Sequence, residues 1–77
     1  MKISKESIHK IVKEISSLPD LDINQLLLDE GIIDSLSTIE LISKLEEVYQ
    51  ITIEADDLNH YNFNSVDNIY TLLKEKE

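Results

Sequence analysis

Gly31-Ile32-Ile33-Asp34-Ser35-Leu36-Ser37-Thr38-Ile39-Glu40-Leu41-Ile42-Ser43-Lys44-Leu45-Glu46-Glu47-Val48-Tyr49 is the stretch on which the fold turns. Asp34 and Ser35 are both good N-cap residues, so a helix is predicted from that point to about Tyr49. At steps of about 100° per residue, Leu41, Ile42, Leu45, Val48 and Tyr49 share one face of it, with Ile39 at the margin. Leu36 is the exception. It falls on the opposite side, beside Glu40, Ser43 and Glu47, which leaves an apolar residue on an acidic face.

Upstream, residues 19–34 keep no helical period. The leucines at 26–28 and Ile32-Ile33 are placed to pack this long connection down, and Gly31, the only glycine, supplies a positive φ. Before it, Ile8, Ile11, Val12, Ile15 and Leu18 recur with helical spacing, which predicts a first helix over about 4–17. Ser4 is its N-cap, and Pro19 stops it. Downstream, Ile51-Thr52-Ile53 is too short an alternation to make a sheet without a second strand. Glu54–Leu58 reads as a short third helix and Asn59–Asn64 as a turn. Ser65 then caps a last helix with Val66, Ile69, Tyr70, Leu72 and Leu73 on one face. The class expected is all-α: a small four-helix bundle of three main helices and a short third one, forming one domain over 1–77.

Composition narrows the function. Sixteen acids against seven lysines give a net charge of −9, unsuited to phosphate backbones or anionic membranes. Four lysines against two acids lie in residues 1–18, so the negative charge is concentrated in the rest of the chain and points to basic protein partners. With no cysteine there is no disulfide, thiolate nucleophile or sulfur-based zinc site. No apolar leader or spanning run is present, so the protein reads as cytosolic.

Chemistry by the chain itself finds little support. Asp20-Leu21-Asp22-Ile23-Asn24 begins like a calcium loop, but Gln25 stands where that loop needs glycine and Gly31 where it needs a bidentate glutamate. His9 flanks the first apolar stripe and His60 sits in the predicted turn, both in structural or solvent roles. No catalytic and no metal-binding residue is assigned. What remains is Ser35, at a helix N-terminus where amide N–H groups and the dipole favour a negative group such as a phosphate. Leu36, held out of the core, offers an incoming enzyme an apolar anchor beside that hydroxyl.

Asp34-Ser35-Leu36, with Gly31 upstream and Thr38-Ile39-Glu40-Leu41 downstream, resembles the attachment motif of acyl carrier proteins, the phosphopantetheine-binding family, and the likeness extends along the whole chain. Glu30–Ser35 and Asn62–Ile69 are similar to free-standing D-alanyl and other aminoacyl carriers. Fatty-acid carriers commonly have an acid where this chain has Ser37 and an apolar residue where it has Ser43, which favours a dedicated pathway.

The resemblance implies an acyl-carrier-type bundle that is not an enzyme. It implies 4′-phosphopantetheine on Ser35, flanked by Asp34 and Leu36, with cargo held as a thioester on the arm's thiol. It also implies docking through Leu36, Ile39, Glu40, Glu46 and Glu47. The partners would be a phosphopantetheinyl transferase, an adenylating acyl or aminoacyl ligase and downstream acyl-transfer enzymes, serving a monomer that binds no nucleic acid and inserts into no membrane. The residues alone leave a second reading open, an unmodified acidic adaptor docking through the same helix. They do not distinguish D-alanine from other amino acids or short acyl chains as cargo.

Overall fold

The computed structural model describes residues 2–77. Helix α1 spans Lys5–Ser16, α2 spans Ser35–Tyr49, α3 spans His60–Phe63 and α4 spans Val66–Glu75, with a 3₁₀ turn at Ala55–Asp57. Among the described residues there is no strand, and none of the helices is long and apolar enough to cross a membrane.

Helix α1 packs against both α2 and α4, and the short α3 packs on α4. Its start follows expectation, with the Ser4 hydroxyl accepting the Ser7 N–H at 3.1 Å. Its end comes slightly early. Ser17 turns left-handed (φ 59°), so the expected last member of the stripe, Leu18, leaves the helix and is 42% exposed. Ile8, Ile11 and Val12 are buried and Ile15 is half-buried, as their spacing predicts.

The long connection is packed down by Leu21, Leu27 and Ile33, which are all buried, while Leu26 is exposed. Its acidic start is a set of local turns rather than an ion loop. The Gln25 side-chain oxygen accepts the Asp22 N–H, and the Asp22 carboxylate accepts the Asn24 N–H. Among the described residues no cluster of His, Asp and Glu is placed to hold a metal ion.

Two expectations downstream of α2 are corrected. Residues 54–58 form only the 3₁₀ turn, closed by reciprocal bonds between Glu54 and Asp57. The short third helix lies instead at His60–Phe63, within the predicted turn, where the Asn59 side chain accepts the Asn62 N–H at 2.8 Å. A single turn is too short to show a hydrophobic period, so only its cap could have marked it. The preceding Ile53 is buried without joining a strand.

In α4, Val66, Ile69, Leu72 and Leu73 are buried and Tyr70 is half-buried beneath the Lys5 ammonium, 5.4 Å from the ring centroid. Ile3, outside any helix, also joins the core. All the buried side chains are apolar or, as with Tyr49, mostly so, and this single core sets α2 with one face inward and the Leu36 face outward.

A candidate attachment site at the head of α2

Gly31 takes φ +70°, and a Cβ built on it would meet nothing within 4 Å, so glycine is needed here for its backbone conformation rather than for space. Ile33, buried two residues later, anchors the chain just before the helix. Asp34 is extended and caps α2. Its carboxylate accepts the Ser37 N–H at 2.8 Å, and its carbonyl accepts the Thr38 hydroxyl at 2.7 Å. Of the two cap residues the sequence allows, the structure selects Asp34. Ser35 therefore occupies the first helical position, exposed, with its hydroxyl free of the capping role.

The electrostatics suit an anion on that hydroxyl. The first turn of α2 contains no acid, so nothing beyond the cap neutralises the positive end of the helix dipole. Asp34 itself stays ionised, because the Ser37 backbone N–H and then the Ser37 hydroxyl hold its carboxyl below the usual carboxylate range.

Beside Ser35 runs an open groove of about 570 Å³, with Thr38, Ile39 and Ile42 of α2 along it and Leu58, His60 and Phe63 from the downstream segment. A clasp between distant parts of the chain positions these elements. The Asn64 side-chain oxygen accepts the N–H groups of Leu28 (2.9 Å) and Asp29 (3.1 Å), while its amide donates to Asp29 at 3.0 Å. His60 Nε2 donates to the other Asp29 oxygen at 2.6 Å. Asn64 first, and then His60, hold the Asp29 carboxyl below its ordinary range. His9 also has a structural role, donating to the Leu21 carbonyl at 2.6 Å.

The remaining predicted site residues divide into two groups. Leu36 is 68% and Ile39 62% exposed, and Glu40 and Glu47 are exposed with them on the outer side of α2. Ile39, expected at the margin of the buried stripe, lines the groove instead. Glu46 is half-buried, and its carboxylate accepts the Ile53 N–H at 2.9 Å, so it secures the connection after α2. Thr38 belongs to the motif quoted from the sequence, whereas Asp29, His60 and Asn64 are not among the site residues predicted from it. Asp29 lies 31 residues before His60 and 35 before Asn64, so their meeting left no local signal.

A family model described as phosphopantetheine attachment site matches residues 6–73. The chain belongs to this family. A D-alanyl carrier protein of Streptococcus uberis is 33% identical over 64 residues, covering 83% of this chain and 76% of that protein. One from Lactococcus lactis subsp. cremoris is 31% identical over 74 residues, 94% of each chain. One from Listeria monocytogenes is 28% identical over 72 residues, 91% of this chain and 92% of that protein. This phosphopantetheine carrier, with its bacterial relatives, is a non-catalytic helical bundle whose prosthetic group is covalently attached 4′-phosphopantetheine. The head of α2 fits such a group, with an exposed hydroxyl, an acid-free first turn and an open groove leading away from it.

Proposed function

We propose that residues 1–77 act as one carrier domain and that Ser35 holds the arm, with Asp34 and Leu36 flanking the attachment point. The observation that carries this reading is the exposed Ser35 hydroxyl, released from capping by Asp34 at an acid-free helix start. In the transfer step Ser35 Oγ attacks a phosphorus of coenzyme A's pyrophosphate. The new Oγ–P bond replaces the P–O bond to 3′,5′-adenosine bisphosphate, which leaves, and the hydroxyl proton passes to a base of the transferase. The arm supplies a thiol, which this cysteine-free chain lacks, and on that thiol cargo is carried as a thioester.

The chain's own contribution is recognition and position. Leu36 and Ile39 offer apolar contacts, and Glu40 and Glu47 meet basic residues of the transferase, an adenylating ligase and the enzymes that receive the cargo. Glu46 adds charge to this field while remaining tied to Ile53. Such charges act mainly on encounter rate and discrimination and weaken with salt, which suits a cytoplasmic monomer visiting several enzymes in turn. The names of the relatives support D-alanine as the cargo.

Intact mass tests the reading. Coenzyme A and a phosphopantetheinyl transferase should add one phosphopantetheine unit, and D-alanine, ATP and an adenylating ligase should add one alanyl unit that hydroxylamine removes. If no first increment appears, the carrier reading is lost and the adaptor reading returns; if only the second fails, D-alanine is excluded as cargo. The double variant Leu36→Ala/Ile39→Ala should keep its stability to urea to within about 0.5 kcal/mol, since both side chains are mostly in water. Its kcat/KM for arm transfer should fall by about 10–100-fold, the loss expected for two apolar contacts at the centre of an interface. Unchanged transfer kinetics would remove these residues from the docking face.

A further inference from the structure

His60 begins α3 and lines the same groove as Ser35. Its ring is held in place, because Nε2 donates to Asp29 at 2.6 Å while Asn64 holds the other Asp29 oxygen at 3.0 Å. With Nε2 engaged, Nδ1 is the nitrogen left for another partner, and on an imidazolium it is a donor. Asp29, from the connection, is the charged group in contact with the ring, and Asp34 lines the same groove from the head of α2. No lysine lines this groove. Lys5, Lys44, Lys74 and Lys76 lie against Asp67, Glu47, Glu77 and Asp57. His60 is thus the groove-lining side chain that can carry positive charge.

An arm on Ser35 begins with a phosphodiester, which brings one negative charge to this groove. We propose that His60 binds the phosphodiester of the arm, donating from Nδ1 as an imidazolium while Asp29 holds the ring from Nε2. The inference rests on the reading of Ser35 as the attachment residue. It would seat the root of the arm at the His60 side of this largely apolar groove, with Leu36, Glu40 and Glu47 on the outer side of α2 left for partner enzymes.

Phosphorus NMR of the arm-bearing chain, recorded across about pH 5–8 where histidines titrate, tests this directly. A phosphodiester keeps its single charge over that range, so any movement of its resonance reports a neighbour. The resonance is expected to move with one midpoint, matching that of the His60 ring protons. His60→Gln should abolish the movement, and His9→Gln should leave it intact. A flat profile in the wild-type chain, or one that still moves in His60→Gln, overturns the proposal while the attachment reading stands. Mass and peptide mapping made first keep the two apart, since an arm absent from Ser35 overturns both.

Discussion

Ser35→Ala is expected to take up no phosphopantetheine under conditions that convert the wild-type chain completely, while unfolding at the same urea concentration. Three hydroxyls crowd the first turn of α2, and only the structure separates their roles. Thr38 Oγ1 donates to the Asp34 carbonyl at 2.7 Å and is half-buried. The Ser37 hydroxyl lies with its own N–H against the Asp34 carboxylate. Ser35 is exposed, and Asp34 performs the capping. Losing the Ser35 hydroxyl therefore costs the fold little, within about 0.5 kcal/mol, as is usual at a surface position without partners. Ser37→Ala should still accept the arm, because the Ser37 N–H that Asp34 caps remains. Peptide mapping that finds the arm on Ser37 or Thr38, or a mass gain that survives Ser35→Ala, would show that the wrong hydroxyl has been assigned.

The second large effect is on stability. Phe63→Ala should lower the urea midpoint by about 3 M, or leave no native baseline, at a slope of about 1 kcal/mol per M. Phe63 is 2% exposed and is the buried residue of α3, so its truncation costs about 3–5 kcal/mol including the cavity left behind. A chain of 77 residues has about 4–12 kcal/mol of stability in all, so this is a large share of the total. Tyr61, two residues earlier on the same short helix, is 72% exposed, and Tyr61→Ala should move the midpoint by less than about 0.5 M. Equal midpoints for the two variants would mean that α3 is not seated on the core as described. Because Phe63 also lines the groove beside Ser35, a partly folded variant should lose the rigid groove along with its stability.

The sequence shows α1, α2 and α4 plainly, because each carries an apolar residue every three or four positions and a Ser or Asp whose oxygen meets an amide three residues on. Leu18 kept the helical spacing but left the helix, since Ser17 turns the chain and spacing says nothing about where a helix unwinds. Glu46 could be placed on the wheel of α2, but no wheel shows that Ile53 folds back to donate to it. The one-turn helix at His60–Phe63 was hidden by its own brevity.

By itself, then, the sequence determined three helices, the exposed Leu36, the serine at the head of α2 and the acidic surface around it. These depend on interactions that reach only a turn or so along the chain. The tertiary structure decided what stands beside that serine. The groove, and the clasp of Asn64, Asp29 and His60 next to it, exist only when segments 31–36 residues apart are brought together by a shared core. Side-chain periodicity records which face of a helix is buried but not which distant residue it will meet, so the site's surroundings became visible only in the folded chain.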